Sequence, residues 1–425
     1  MDVQTPPGTR AWVLHPDIPT SDTSRDPTLA LDEAVALARA LPDLDVAGAD
    51  IIRLRQPHPG TLFGKGKLEE LSARFKADEI ELVLIDGPVT PVQQRNLERA
   101  WGLKLLDRTG LILEIFSDRA ATREGVLQVE MAALSYQRTR LVRAWTHLER
   151  QRGGLGFVGG PGETQIEADR RAIDEQLVRL RRQLAKVVKT RSLHRAARAK
   201  VPFPIVALVG YTNAGKSTLF NRITGANVLS KDMLFATLDP TMRKIELPGG
   251  GPQIILSDTV GFISDLPTEL VAAFRATLEE VLEADLICHV RDISHPESEE
   301  QARDVQAILE NLGVLESTPQ IELWNKLDLL DPEARAAIQT RADRREDVLP
   351  ISSLTGEGIE ALVEMITTTL AGKTVEEKLQ LGFAEGRKRA WLYDRGLVED
   401  EAQDEEGHIL TVRWNAMQRA QFETV

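Results

Sequence analysis

The stretch that decides the fold is IVALVGYTNAGKST, residues 205–218. It opens with an apolar run, Ile205–Val209, that is typical of a buried strand. The run leads directly into the pattern G-x-x-x-x-G-K-S, and a helix-like segment, 218–224, follows. In this context bare backbone N–H groups can wrap phosphates at a helix N-terminus. The predicted phosphate-binding residues are Gly210, Tyr211, Thr212, Asn213, Ala214, Gly215, Lys216 and Ser217.

Three side chains of this loop have expected roles. Lys216 is expected to reach the β- and γ-phosphates, and Ser217 to ligate Mg²⁺. Asn213 has two interpretations of equal weight. It either helps to hold a monovalent cation such as K⁺ against the phosphates or braces a mobile loop, and the sequence leaves this choice open.

A second motif predicts that the base is guanine. The pattern N-K-x-D begins at Asn325, at the end of a strand-like run. The Asp328 carboxylate can accept from the two N–H groups of the Watson–Crick edge of guanine, a pair that adenine lacks, so adenine would leave the buried carboxylate unsatisfied. Asn325 is expected to brace the base, the Lys326 stem to cover it, and a serine pair to offer backbone N–H groups to its carbonyl. The predicted base-binding residues are Asn325, Lys326, Leu327, Asp328, Ser352 and Ser353.

A third motif, D-x-x-G from Asp258 to Gly261, lies between the other two. Asp258 is expected to hold Mg²⁺ through a water, and the Gly261 N–H to contact the γ-phosphate and sense its loss. Thr237 is our candidate for the Mg²⁺-ligating threonine of a mobile loop, and Thr241 is its competitor.

These motifs together define the predicted site. The predicted catalytic residues are Lys216, Thr237 and Gly261. The predicted metal ligands are Ser217, Thr237 and Asp258. The remaining predicted nucleotide contacts are Phe235, Ala236, Leu238, Asp239, Thr259 and Val260. Phe262 follows Gly261 where Ras-like proteins have the glutamine that orients the attacking water. Because phenylalanine cannot do this, we expect slow hydrolysis until something else completes the site.

The charge of the chain is distributed unevenly. The net charge is −13, yet residues 138–200 contain 16 Lys and Arg against 6 Asp and Glu, a net of +10. This basic segment is either a polyanion-binding element or a solvated helical face, and its charge alone favours neither. It falls on two helix-like stretches with apolar residues at 4-3 spacing, which predicts an antiparallel helical hairpin. The Gly-rich stretch 153–162, GGLGFVGGPG, would be its tip. Its G-x-G-x-x-G pattern follows a helix, so a dinucleotide site is disfavoured.

The composition bears on disulfide bonds, membrane insertion and cellular location. The only cysteine, Cys288, lies in an apolar run and is expected to be a buried hydrophobic residue, so no disulfide can form within one chain. No apolar run approaches the roughly 18 residues of a membrane span, and the N-terminus lacks a signal pattern. We expect a cytoplasmic monomer, with or without peripheral association with a membrane.

The order of helix-like and strand-like runs predicts an α/β fold. We expect a parallel α/β domain at 1–120, the helical hairpin at 121–200, a P-loop domain with a mostly parallel sheet at 201–372 and a small α+β domain at 373–425. In the last domain, 387–393 is expected to be helical and 399–406 an acidic turn.

These motifs, in this order and spacing, resemble those of the HflX family of translational GTPases. The motifs that carry the resemblance are GYTNAGKST (210–218), FATLDPT (235–241), DTVGFI (258–263), LWNKLD (323–328), SSLTGEG (352–358), GKGK (64–67), DRTG (107–110), QVE (128–130) and GGLGFVGGPGETQIE (153–167). The resemblance implies GTP-dependent binding to the large ribosomal subunit, with splitting or rescue of stalled ribosomes under stress. It would place the hairpin tip near the peptidyl-transferase centre. Ser353 stands where the family usually has alanine, but its expected contact is through the backbone.

Two other functions remain open at this point. One is a GTP-regulated protein-interaction switch, whose basic hairpin would contact acidic protein or membrane surfaces. The other is a GTPase associated with tRNA modification, which Asn213 in the P-loop also permits. The second would need a cofactor or one-carbon site, and the sequence contains no recognisable motif for one.

Overall fold

Three separate β-sheets organise the described part of the chain. The computed structural model describes residues 8–19, 25–151, 161–198, 203–226, 234–235, 241–247, 253–264, 279–314, 318–371, 375–404, 407–414, 418–419 and 422. Within these residues a four-stranded sheet comes first, a six-stranded sheet follows, and a three-stranded sheet comes last. Two long helices separate the first two sheets along the chain. The predicted α/β fold class is confirmed.

The first sheet is entirely parallel, in the order β2-β1-β3-β4. Its strands are β1 (Thr9–Asp17), β2 (Leu44–Arg53), β3 (Leu82–Ile85) and β4 (Lys104–Asp107). The helices that connect and follow them are α1 (Pro27–Arg39), α2 (Lys65–Ala77), α3 (Pro91–Trp101) and α4 (Arg108–Arg119). Because the strands run in one direction, their carboxyl ends meet at one edge, where open α/β sheets usually bind ligands. Asp86 and Asp107 lie at this edge.

Two elements of this part, β2 and α4, are not predicted by the sequence pattern. In β2, Gly48 lies against the Trp12 ring, where a Cβ would come within 2.4 Å of a ring carbon. The α4 helix contains the run 110–116, which is apolar except for Glu114, and periodicity cannot distinguish such a short run from a buried strand. The side chain of Asp107 decides in favour of a helix, because it accepts the Gly110 N–H at 2.8 Å and caps the first turn.

The two predicted long helices are α5 (Arg123–Gln151) and α6 (Pro161–Arg198). Leu127 of α5 and Leu177 and Leu180 of α6 are buried. Arg138 of α5 pairs with Asp174 of α6 at 2.7 Å. Of the predicted Gly-rich tip, residues 153–160 lie outside the described residues, whereas 161–162 are already the first turn of α6. Within the described part of the chain, no helix is long and apolar enough to cross a bilayer.

The second sheet has the order β10-β9-β8-β5-β7-β6, and only β6 runs antiparallel to its neighbour. Its strands are β5 (Ile205–Gly210), β6 (Thr241–Glu246), β7 (Gln253–Asp258), β8 (Leu286–Asp292), β9 (Gln320–Asn325) and β10 (Val348–Pro350). Its described helices are α7 (Lys216–Thr224), α8 (Glu279–Leu282), α9 (Ser298–Leu312), α10 (Pro332–Ala342) and α11 (Ile359–Ala371). The central strand β5 is buried on both faces, because alternate residues belong to two different apolar clusters.

The third sheet is antiparallel, in the order β11-β13-β12, and carries one helix. Its elements are β11 (Val375–Gly382), α12 (Gly386–Asp394), β12 (Val398–Gln403) and β13 (Gly407–Trp414). The predicted acidic turn at 399–406 is therefore wrong in its first half. Those acidic residues lie on an edge strand with mostly exposed side chains, where charge discourages pairing with other chains.

Candidate nucleotide-binding site

The loop between β5 and α7 requires glycine at two positions. Gly210 has φ +151°, and a Cβ there would lie 2.2 Å from the Val290 carbonyl oxygen of β8. Gly215 has φ +96°, and a Cβ there would lie 2.2 Å from Nδ2 of Asn325. Asn213 adopts φ 58°, which asparagine tolerates better than most residues. The loop therefore lies closer to its neighbours than residues with side chains would permit.

Lys216 begins α7 and is 6% exposed. Its Nζ donates to the carbonyl oxygens of Gly210 at 3.1 Å and Tyr211 at 2.8 Å. Burial lowers the pKa of Lys216 to about 8, although the nearby Asp258 carboxylate opposes the shift. A bound phosphate would stabilise the ammonium in the same way as Asp258 does. The loop thus holds its lysine in place before a ligand is bound.

Ser217 and Asp258 meet at the start of α7. The Ser217 hydroxyl donates to Oδ2 of Asp258 at 2.7 Å, and Asp258 is fully buried at the end of β7. Ser217 lies in the helix that follows β5, and Asp258 ends β7, a parallel neighbour of β5 whose carboxyl end lies at the same edge. The structure therefore brings together two of the three predicted metal ligands.

The D-x-x-G segment pairs with the phosphate-binding loop. The Thr212 N–H donates to the Phe262 carbonyl at 2.7 Å, and the Phe262 N–H donates to the Gly210 carbonyl at 3.1 Å. Gly261 lies so close that a Cβ would be 2.7 Å from Cγ2 of Thr212 and 3.2 Å from Nζ of Lys216. Phe262 is 2% exposed and packs within an apolar cluster. Its ring offers no hydrogen-bonding group to the site.

Asn325 connects the predicted base site to the phosphate-binding loop. Its Nδ2 donates to the Ala214 carbonyl at 2.7 Å. Its Oδ1 accepts from the Ser353 N–H at 2.9 Å and from the Ser353 hydroxyl at 2.8 Å. Ser352 donates its hydroxyl to Asp328. The side chain of Ser353 therefore makes a bond that the sequence does not predict and that alanine could not make.

The remaining predicted residues of the N-K-x-D and D-x-x-G motifs make fewer contacts within the site. Lys326 adopts φ 69°, and its Nζ pairs with Asp292 at 2.7 Å. Leu327 and Val260 are buried. The Thr259 hydroxyl donates to the Leu208 carbonyl at 2.6 Å, which ties the D-x-x-G segment to β5.

The structure describes only part of the predicted mobile loop. Phe235 is 2% exposed and packs edge-on against Phe116 of α4, with the ring centroids 4.6 Å apart. Ala236, Thr237, Leu238 and Asp239 lie outside the described residues. Thr241, the competitor of Thr237, is the first residue of β6 and is paired with Asp258.

A buried polar cluster between the first and second sheets is missed by the sequence analysis. We call it the interface cluster, and its members are Glu33, Asp86, Arg108, Tyr211 and Ser264. The Tyr211 hydroxyl donates to Glu33 at 2.6 Å and accepts the Ser264 N–H at 2.8 Å. Arg108 binds Glu33, Asp86 at 2.6 Å and the Ser264 carbonyl at 3.1 Å. The cluster therefore joins the first sheet to the P-loop and to the residues after the D-x-x-G motif.

The charges of this cluster compensate one another. Burial opposes ionisation of Glu33, but the guanidiniums of Arg108 and Arg25 outweigh it and hold the pKa of Glu33 below its ordinary value. Burial likewise opposes ionisation of Asp86, and its bonds with His15 and Arg108 lower its pKa. The one sequence feature that points to this cluster is the DRTG motif (107–110), which contains Arg108 but does not indicate what Arg108 binds.

Comparisons with known proteins agree with this geometry. The matching family models are GTP-binding GTPase N-terminal (29–117), GTP-binding GTPase Middle Region (119–198), 50S ribosome-binding GTPase (205–326) and HflX C-terminal domain (337–424). The GTPase HflX of Magnetococcus marinus is 48% identical over 382 residues, which cover 90% of this chain and 87% of the relative. The chain belongs to the HflX family of GTPases.

A further relative has the same name, and a solved structure is similar in fold. The GTPase HflX of Escherichia coli is 45% identical over 359 residues, which cover 84% of this chain and 82% of its own. A GTP-binding protein of the archaeon Sulfolobus solfataricus, solved in complex with GDP, aligns with 85% of this chain and 98% of its own at 23% identity. Its TM-score is 0.45, so this likeness carries no argument about the site. As an HflX-family protein, the chain is a GTPase with a P-loop site.

Proposed function

We propose that this GTPase hydrolyses GTP when it docks on the large ribosomal subunit, and that it splits or rescues stalled ribosomes under stress. The observation that carries the proposal is Phe262, which is buried and offers no hydrogen-bonding group next to Gly261. The chain therefore lacks the side chain that orients the attacking water in Ras-like proteins. A docking partner would complete the site, and the match of 205–326 to a model of 50S ribosome-binding GTPases supports the ribosome as this partner.

The α5–α6 hairpin is the proposed contact with ribosomal RNA. Residues 138–200 have a net charge of +10 in a chain whose net charge is −13. The exposed arginines in the described part of α6 are Arg170, Arg171, Arg179, Arg181 and Arg182. Neutralising RNA phosphates would release counterions and give salt-sensitive affinity. A glycine-rich tip would let the backbone follow the RNA closely.

Within the site we propose the following roles. Lys216 binds the β- and γ-phosphates, the Gly261 N–H contacts the γ-phosphate, and Thr237 closes over it. Asp328 recognises guanine through the N–H groups of its Watson–Crick edge, and the loop of Ser352 and Ser353 offers backbone N–H groups to its carbonyl. The bonds of Asn325 to Ala214 and to Ser353 support this assignment, because they tie the base site to the phosphate loop.

The donor atoms at the start of α7 fit Mg²⁺. The Ser217 hydroxyl and the Asp258 carboxylate are hard oxygen ligands only 2.7 Å apart, and Mg²⁺ prefers such ligands together with nucleotide phosphates. Ser217, Asp258 and Thr237 would hold the ion, which would neutralise charge on the phosphate oxygens. We also propose that Asn213 helps to hold K⁺ beside the phosphates, and faster turnover in K⁺ than in Na⁺ would support this role.

We propose four units, 1–120, 121–200, 201–372 and 373–425, in a monomeric protein. The family matches, which change near residues 118 and 200, support the first two boundaries. A cytoplasmic location, with or without peripheral attachment to a membrane, follows from the ribosomal partner.

The test is GTP turnover with and without purified large ribosomal subunits. We expect a stimulation of at least about tenfold, because the partner completes the site. Replacing 153–162 with a short Gly-Ser turn should preserve GTP binding and remove the stimulation. Raising the salt concentration should weaken the stimulation of the unaltered protein. Tight GTP binding without any stimulation would contradict the proposal and favour the protein-interaction switch.

A further inference from the structure

The loop that carries Ser352 and Ser353 is closed by its own backbone. The Gly356 N–H donates to the Ser352 carbonyl at 2.8 Å, and the Ser352 N–H donates to the Glu357 carbonyl at 3.0 Å. The side of the loop that faces the predicted base site contacts Asn325 and Asp328 through the two serines. We call residues 352–357 the base loop.

The other side of the base loop is bound by Arg222, which belongs to α7. Its Nε donates to the Ser353 carbonyl at 2.6 Å, and its guanidinium also donates to the Leu354 carbonyl. Gly356, at φ +95°, leaves room for this group, because a Cβ there would lie 2.7 Å from a terminal nitrogen of Arg222. The loop is therefore shaped around a guanidinium that comes from the P-loop helix.

Peptide geometry connects this contact to the base. In a planar trans peptide the C=O and N–H groups point in opposite directions. When Arg222 holds the Ser353 carbonyl on the outer side, the Leu354 N–H of the same peptide is turned toward the inner side. Both carbonyls accept from a cation, and such charge-assisted bonds are stronger than neutral ones.

We propose that Arg222 is a positioning residue for guanine recognition. It holds the 353–354 peptide so that the Leu354 N–H faces the carbonyl oxygen of guanine, and it joins the base loop to the helix that begins at Lys216. This inference rests on the proposed assignment of Asp328 and Ser353 to the base. Because Arg222 is exposed to solvent, we expect its loss to change the nucleotide dissociation rate moderately and not to abolish binding.

The experiment measures the dissociation rates of fluorescent GDP and GTP from the full chain. In Arg222→Met we expect both rates to rise about tenfold and by the same factor, since the two nucleotides share one base. The single-turnover rate of hydrolysis of bound GTP should stay within about twofold of the unaltered protein, because the phosphate contacts remain. Arg222→Lys keeps the charge but not the planar guanidinium. Its nucleotide dissociation rates should lie between those of Arg222→Met and those of the unaltered protein.

Arg335→Met is the matched control. Arg335 contacts the same loop, but it binds the Glu357 carboxylate and not the loop carbonyls, so its loss should leave dissociation unchanged. A diphosphate of 2-aminopurine riboside, which lacks the carbonyl oxygen of guanine, should dissociate at the same rate from Arg222→Met and from the unaltered protein. A general loosening of the site would accelerate its release as well.

Two results would overturn the inference. One is wild-type GDP dissociation from a folded Arg222→Met variant, and the other is equal acceleration for the 2-aminopurine nucleotide. Asp328→Asn separates this failure from failure of the base assignment. If Asp328→Asn keeps full selectivity for guanine, the assignment itself is wrong. If selectivity is lost while Arg222→Met behaves as wild type, only the role of Arg222 is wrong.

Discussion

Single glycines decide how closely the phosphate loop approaches its neighbours. Gly215 at φ +96° faces Nδ2 of Asn325, whereas Gly225 at φ +63° ends α7, and a Cβ there would have no atom of the described residues within 4 Å. Both positions disfavour other residues because of backbone conformation, but only Gly215 also has a steric reason. Substitutions at the two glycines can therefore distinguish the effect of backbone strain alone, at Gly225, from strain combined with a steric clash in the nucleotide site, at Gly215.

Gly215→Ala should weaken GDP binding by roughly tenfold to 100-fold, because strain of about 1–3 kcal/mol and displacement of Asn325 act on the site itself. Gly225→Ala should lower the free energy of unfolding by about 1 kcal/mol and leave GDP affinity unchanged. Isothermal titration with GDP and thermal unfolding measure the two effects. Equal loss of GDP affinity in both variants would contradict the steric argument.

At the scale of elements, strand β8 has different chemistry on its two faces. Cys288 and Val290 point into one apolar cluster, and burial raises the pKa of the cysteine to about 12, so the prediction of a buried hydrophobic residue is confirmed. His289, on the other face, is 5% exposed. Burial lowers the pKa of His289 to about 4 against the opposing charge of Glu322, while the nearby cations Arg291 and Lys216 add to the lowering.

The folded pKa of His289 lies below the unfolded value, so the folded state binds this proton less readily. The contribution of this shift to the free energy of unfolding is fully present above pH 6.5 and is lost as the pH falls toward 4. Between pH 6.5 and 5 the free energy of unfolding should fall by about 2 kcal/mol from this group alone. In His289→Gln this part of the slope should disappear in urea titrations. An unchanged slope would mean that other groups govern the acid response.

At the scale of the whole molecule, the interface cluster connects the helices of the first sheet to the nucleotide-binding loop. Glu33 and Arg108 bind Tyr211 of the P-loop and Ser264, three residues after Gly261. The cluster occupies the carboxyl edge of the first sheet, where α/β sheets commonly bind small ligands. The same edge also holds α5, because Asp107 accepts from Tyr136 and Arg140. The nucleotide loop and the hairpin are thus anchored at one edge.

Arg108→Met should lower the free energy of unfolding by about 3–5 kcal/mol, because it leaves the buried carboxylates of Glu33 and Asp86 without their main partner. Hydrogen exchange of the α1 and β3 amides measures this loss. The control is Arg53→Met, since Arg53 is 91% exposed and lies 3.8 Å from Asp17, and it should change stability by less than about 0.5 kcal/mol. Similar small effects in both variants would show that the cluster is hydrated.

Much of the fold could be predicted because its signals are local. The apolar run before Gly210, the proline at the start of α3 and the 4-3 spacing of α5 and α6 each lie within one element. The sequence does not predict α4, because its largely apolar run suits a helix and a strand equally. The acidic residues of β12 suggest a turn, because an edge strand can be polar on both faces.

The sequence by itself determined the P-loop, the D-x-x-G and N-K-x-D motifs and the basic segment, since each is a short run whose chemistry depends on its own residues. Only the tertiary structure decided what contacts them. Glu33 and Arg108 lie 178 and 156 residues away from the Tyr211 and Ser264 groups that they bind. In the sequence they resemble ordinary charged residues of helices. Packing of the two sheets removes these charges from water, and this desolvation makes their mutual pairing necessary.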